Sequence, residues 1–248
     1  GDLPKLNLPY DTLTPQTKNN GGRSFIVELD KENLERLKAV AMDHHSTLFI
    51  SLLTMYQSFL ANYNGQHDII VGSSLANRMI PGTEQMIGYF INTLPFRLTL
   101  NKQETFTEIL KKNTKHVIDI YDRQQMPLEK IVDAINPERN SKGSSLFETV
   151  FVLQNNEQAL FSNQFMKVKP EILLSNIAKF DLSLVTEEHE QELLLAFEYN
   201  TSVFQEKTVR HLAENFIDWV RKNIANPQQE LCSVPILNSQ QQEKLLKE

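Results

Sequence analysis

Residues 46–74 read STLFISLLTMYQSFLANYNGQHDIIVGSS, and two different periodicities follow one another in that stretch. Phe49, Leu52, Leu53, Tyr56, Phe59, Leu60 and Tyr63 recur at i, i+3, i+4 and i+7, which places apolar side chains on one face of a helix. Ser46 is positioned to cap its start, and Asn64 with Gly65 supplies the stop. From Asp68 the pattern changes. Ile69, Ile70 and Val71 are continuously apolar and β-branched, as in a strand buried on both faces, and Gly72, Ser73 and Ser74 then end it in small residues. A core helix feeding a doubly covered strand implies helices packed on a sheet.

The surrounding chain fits that plan. Phe25, Val27 and Leu29 alternate as in a short strand, and Asp30 suits the N-cap of a helix with Leu34, Leu37 and Ala41 inward, ending near His44. Pro81 and Gly82 mark a turn, followed by a strand over 90–100 and a helix over 105–123 that turns Phe106, Ile109, Leu110, Val117 and Tyr121 inward. Pro127 suits the first turn of a short helix reaching Ile135, and 147–153 reads as another buried strand. Phe180, Leu182 and Leu184 alternate, as do Leu193, Leu195 and Phe197; the acidic run between them suits a hairpin. A last helix over 206–224 buries Val209, Leu212, Phe216 and Val220, with Trp219 expected at the edge of the core. Elements mix without a strict βαβ repeat, so the class is α/β or α+β with a mixed sheet. Residues 1–22, with three prolines and an Asn-Asn-Gly-Gly close, read as an extended linker or strap.

Composition narrows the function classes. The chain has 248 residues, 40% apolar, with 25 Lys and Arg against 31 Asp and Glu, a net charge of −6. Such a chain can bury a substantial core, and its acidic balance argues against wholesale nucleic-acid binding. No apolar run approaches the roughly 18 to 20 residues of a membrane span, and no basic-then-apolar leader opens the sequence, so a cytoplasmic protein with no membrane partner is expected. Cys232 is the single cysteine, leaving no intramolecular disulfide and no cysteine cluster for zinc. Only eight glycines occur, too dispersed to write a Walker loop or a GxGxxG fingerprint.

Side chains for catalysis are scarce. His44, His45, His67, His116, His189 and His211 form no i, i+3 or i+4 pair with another His or Glu that makes a convincing metal site, so no metal is expected. There is no GxSxG elbow. The carboxylates at Glu187, Glu188, Glu190 and Glu192 suit a solvated hairpin tip rather than a partly dry acid/base pair.

One segment carries more. Residues 86–97, MIGYFINTLPFR, resemble the IGxFVNTxxxR motif of condensation domains from nonribosomal peptide synthetases. Further segments extend the resemblance: 6–11, LNLPYD, is similar to the family's LxLPxDxPRP strap, and 47–72 to TLFMTLLAAFQVLLxRYxGQDDIVVG. Arg78 stands at the Arg of the xGR turn. Downstream, 124–130 (QQMPLEK) look like HQDxPFEKL, with Arg123 and Gln125 in place of its His and Asp; 145–151 (SLFETVF) resemble SPLFQVMF; 178–182 (AKFDL) and Glu198-Tyr199-Asn200 match AKFDL and EYxT; and Pro235 begins a segment like that preceding an adenylation domain. Residues 139–142 follow the family's RDxSR only loosely.

The catalytic HHxxxDG of the family is absent. His44 and His45 are followed by Phe49 and Ile50 where its Asp and Gly belong, and they fall at a helix end. The resemblance implies a chloramphenicol-acetyltransferase-like lobe of the α/β class, a mixed β-sheet flanked by helices. It implies the C-terminal half of a condensation domain, whose histidine-bearing half lies upstream, and inactivity of this half alone. The implied division is 1–22 as inter-lobe strap, 23–226 as the lobe and 227–248 as linker toward a following adenylation domain. The implied partners are the N-terminal lobe, donor and acceptor peptidyl carrier domains and the adjacent adenylation domain. Substrates ride on the 4'-phosphopantetheine of the carriers, with no cofactor bound directly.

Ser73, Ser74, Gly88 and Asn92 are the tunnel-lining candidates. Arg78, Thr93, Arg97, Pro127, Glu129, Phe147 and Asp181 are read as structural, with Arg78 and Arg97 expected in buried ion pairs that fix loops. Two other readings remain: an epimerisation-type half, disfavoured because that subfamily carries a different pair where Asn92-Thr93 stands, and a non-catalytic carrier-protein docking module, for which Lys111, Lys112 and Lys115 form a weak basic patch.

Overall fold

A computed structural model describes residues 3–12, 20–135, 146–154 and 176–237. The strands are β1 (Gly22–Asp30), β2 (Asp68–Leu75), β3 (Asn92–Thr99), β4 (Thr149–Gln154), β5 (Leu182–Glu188) and β6 (Glu192–Asn200). The helices are α1 (Lys31–Asp43), α2 (Leu48–Asn64), α3 (Phe106–Tyr121), α4 (Leu128–Ile135) and α5 (Glu206–Ala225). The strands form one six-stranded sheet in the order β1-β6-β5-β4-β2-β3. β4 runs parallel to both β2 and β5, and the other neighbours are antiparallel, so the sheet is mixed.

Every residue of α2 from Ile50 to Ala61 is buried, not only the predicted stripe. This helix packs on β2 and β4 and against α1, α3 and α5, which also touch the sheet. Its cap is Thr47 rather than Ser46: the Thr47 hydroxyl accepts from the Ile50 N–H at 3.2 Å. Ser46 is still closing the turn after α1, its N–H bonded to the Ala41 carbonyl, and its hydroxyl accepts instead from Thr114 at 2.9 Å. Gly65 ends α2 at φ 64, the left-handed conformation that favours glycine. For α3, Thr105 and Glu108 form a reciprocal capping box.

Strand alternation divides the sheet faces. Ile69, Val71, Leu94, Phe96, Leu98, Phe151, Leu184, Leu195 and Phe197 join the main core beneath the helices. Ile70 and Val150 face the other way, in a smaller cluster with Leu146 and Phe147 that Leu3, Leu128, Ile131 and Phe180 cover. β2 does not stop at Gly72 but continues to Leu75, because Ser73, Ser74 and Leu75 pair in register with Leu94, Thr93 and Asn92. Trp219 is fully buried rather than at the core edge, 6.2 Å from the Phe59 ring.

Gly72 is required by packing. A Cβ placed there would lie 2.3 Å from the Phe147 ring, which itself packs 5.9 Å from Phe180. Gly72→Ala is therefore expected to destabilise the domain by about 1–3 kcal/mol through overpacking. Urea unfolding checks this, and an unchanged midpoint would mean that Phe147 moves aside freely.

Candidate functional site

The motif residues gather where β2 ends, β3 begins and the segment after α3 turns back. Parallel β4 and β5 finish at this same end of the sheet, the side on which open α/β sheets place ligand crevices.

The two adjacent serines separate there. Ser73 points into the main core, fully buried, and donates to the Phe151 carbonyl at 2.6 Å, so it ties β2 to β4 instead of facing an open site. Ser74 is on the opposite face, half-buried, its hydroxyl hydrogen-bonded at 3.1 Å to that of Thr93. Asn92 is a latch: its amide donates to the Gln124 and Met126 carbonyls, both at 2.8 Å, and holds the turn before α4 against the start of β3.

The loop 76–91 is organised by Arg78. Its guanidinium donates to the Thr83 and Met86 carbonyls and lies 4.2 Å from the centre of the Phe90 ring. Carbonyls and an aromatic face thus replace the expected carboxylate partner. Gly82, at φ 91, makes the anticipated turn, and Gly88 is exposed beside the Phe90 ring. Around this scaffold Met79, Ile80, Met86, Ile87, Tyr89, Ile91 and Met126 are all exposed, Ile87 completely and Tyr89 at 89%. So much apolar surface gathered on this loop and the adjacent turn is of the kind that interaction surfaces carry.

The remaining structural candidates lie outside this gathering. Arg97 pairs with Asp68 through contacts of 2.6 to 3.2 Å, but both side chains are partly exposed, so it is a surface pair and not the buried one expected. The Pro127 carbonyl accepts from the Lys130 N–H at the start of α4, with Glu129 exposed in its first turn. Asp181 accepts from the Tyr10 hydroxyl at 3.0 Å. Tyr121, whose ring sits 6.4 Å from Phe96, has its phenol pushed up to about 12 by burial and stays neutral.

No described histidine lies on the elements that carry Ser74, Arg78 and Asn92, and no group of three His, Cys, Asp or Glu among the described residues could hold a metal. A cavity of about 260 Å³ sits instead at the opposite end of β2, lined by Asn62, His67, Leu100, Lys102 and Cys232. Among the described residues the candidate site offers hydrogen-bonded strand ends and an apolar loop, and no acid/base pair.

Residues 1–246 match the family described as Condensation domain. The chain belongs to that family. It is 33% identical over 245 residues to gramicidin S synthase 2 of Brevibacillus brevis, covering 99% of this chain and 6% of that protein. It is 33% identical over 246 residues to tyrocidine synthase 3 of Brevibacillus parabrevis, covering 99% of this chain and 4% of that one. Among solved structures, the X-domain from teicoplanin biosynthesis superposes with a TM-score of 0.83 at 18% identity, over 94% of this chain and 54% of that one. The condensation domain from Monacolin K polyketide synthase gives 0.78 at 22%, over 92% and 52%. The fold is therefore the chloramphenicol-acetyltransferase-like one of nonribosomal peptide synthetase condensation domains. The chain spans a few per cent of the curated relatives and about half of these solved domains.

Phe90, the Gln124 and Met126 carbonyls and the exposed loop were not singled out from sequence. Carbonyl acceptors leave no sequence signature, whereas the aperiodic apolar residues from Met79 to Ile91 were a readable signal. Asn92→Ala is expected to release the turn at 122–127 at a global cost of about 1–2 kcal/mol. Amide exchange measures it; unaltered protection there would remove Asn92 from this role.

Proposed function

We propose that the chain is the C-terminal lobe of an amide-bond-forming condensation domain and supplies one wall of the tunnel in which a carrier-tethered amine attacks a carrier-tethered acyl thioester. The supporting observation is its extent: it covers nearly its whole length in the match to solved domains of this fold, yet 54% and 52% of theirs. The exposed loop around Ile87 and Tyr89 is then the surface that meets the N-terminal lobe, which supplies HHxxxDG.

In this reading 1–22 is the strap between lobes, 23–226 the lobe and 227–248 the linker toward an adenylation domain. In the reaction the amine nitrogen forms the new C–N bond, the C–S bond breaks, and the proton lost by the amine balances the thiolate released. Alignment of two tethered substrates supplies much of the acceleration, so neither half of the tunnel acts alone. Ser74, Gly88 and Asn92 contribute shape and hydrogen bonds at the wall, and Ser73 acts through the β2–β4 seam. Donor and acceptor carrier domains bring the substrates on 4'-phosphopantetheine within the cytoplasm, and no further cofactor is bound directly. Asn92-Thr93 favours condensation over epimerisation.

Loaded donor and acceptor carriers mixed with this chain alone are expected to give no peptide bond, and addition of a histidine-bearing upstream half from the same synthetase to restore condensation. Turnover by the chain alone would overturn the proposal, as would a lack of any association between the halves.

A further inference from the structure

The cavity of about 260 Å³ lies at the opposite end of β2 from the motif residues, and three segments build it. Ala61 comes from the end of α2, Leu100 and Lys102 from the turn between β3 and α3, and Leu231 and Cys232 from the chain after α5. Hydrogen bonds hold these segments in place. The Gln66 N–H donates to the Ala61 carbonyl at 2.9 Å, the Leu100 N–H to the His67 carbonyl at 2.7 Å and the Leu231 N–H to the Glu104 carbonyl at 3.1 Å. The Asn62 side-chain amide joins α2 to the chain after α5, donating to the Leu231 carbonyl at 3.2 Å. The hollow is therefore shaped by the fold itself, as small-molecule sites mostly are.

Its chemistry is divided. Ala61, Leu100 and Leu231 are buried and give it an apolar wall, whereas Lys102, His67 and Cys232 are its exposed polar members. Lys102 makes no hydrogen bond or ion pair with any described residue, unlike Lys112, which is spent on Glu104 and the Thr99 carbonyl. Of the acids on the same segments, Glu104 is thus paired, and Glu230 stands 3.8 Å from the Cys232 sulfur. One uncommitted cation with one acid close by suits a single negative charge and disfavours a phosphate dianion. The volume lies just below the range of drug-sized sites, roughly 300 to 1,000 Å³, so the body of the ligand is short.

We propose that this cavity is a binding site for a small aliphatic monocarboxylate. The aliphatic chain lies against Ala61, Leu100 and Leu231, and the carboxylate takes a charge-assisted hydrogen bond from Lys102 beside the His67 imidazole. Burial of the methylenes supplies the affinity, and the cation fixes the orientation. The site stands on this chain alone and needs nothing from the function proposed above.

Cys232 is the only cysteine of the chain, so its alkylation by iodoacetamide reads the cavity alone. At constant ionic strength, hexanoate is expected to slow alkylation severalfold along a saturable curve, with half-effect on the order of 1–10 mM for a ligand of about eight heavy atoms. Hexanamide has nearly the same shape without the charge, and about tenfold more of it is expected to be needed. Lys102→Met is expected to erase the difference between the two. Amide exchange locates the site: hexanoate is expected to protect 61–67, 100–102 and 230–232 and to leave β5 and β6 unchanged. Protection that does not saturate, equal protection by hexanamide, an undiminished preference for hexanoate in Lys102→Met, or exchange protection away from these segments each overturns the site. The wild-type comparison of hexanoate with hexanamide decides even if the variant does not fold, and no readout depends on condensation activity.

Discussion

The structure depends on the burial of α2 from Ile50 to Ala61 on every side. A helix covered on all sides must satisfy its polar side chains inside the protein, since an unpaired buried group costs about 1–3 kcal/mol. Here Thr54 donates to the Ile50 carbonyl, Ser58 to the Met55 carbonyl and Gln57 to the Phe96 carbonyl, while the buried Ser51 hydroxyl is left without a partner among the described residues. Asn113 on α3 bonds to both Thr54 and Gln57, and the Tyr56 hydroxyl meets Thr149 on β4 at 2.7 Å. These bonds fix α2 against α3, β3 and β4 in one register, and apolar contact with α5 through Phe216 and Trp219 closes the remaining side.

That fixed helix delivers the chain to β2, and the candidate face is built on what β2 positions. Gly72 allows Phe147 to close the smaller cluster, Ser73 joins the sheet at a seam where only Gly72 and Ser73 stand in register with β4, and Ser74 joins β3. Beyond Leu75 the chain leaves the sheet, and its order comes from Arg78 and Asn92, which bind backbone carbonyls rather than acids. The hydrogen-bonded part of the candidate site and its exposed apolar part are therefore neighbours in sequence and opposite in character.

The long elements were legible because their cores impose a period. Asp30, Gly65 and the helices over 105–123 and 206–224 fell close to where they were read. The misreadings share one cause, the loss of local signal where tertiary contacts decide. Ser46 and Thr47 are equally good caps until the turn after α1 assigns one of them. Gly72-Ser73-Ser74 resembles a strand end unless the partner β3 is known. The strap composition of 1–12 conceals Leu6 and Leu8, whose burial depends on distant partners. Family resemblance singled out the segment 86–97, but adjacent serines on opposite faces of one strand are separated only by knowing which face the helices cover.

Fold and family place the chain among condensation domains, and the proposal that it forms one wall of a two-lobed chamber rests on its extent and its exposed apolar loop. The most direct measurement is an amide-exchange footprint of the chain alone and mixed with a histidine-bearing upstream half. New protection is expected to concentrate in 79–91 and around Met126, with the α2 core unchanged. No new protection in that loop, or protection confined to the opposite end near Cys232, would contradict the two-lobed reading.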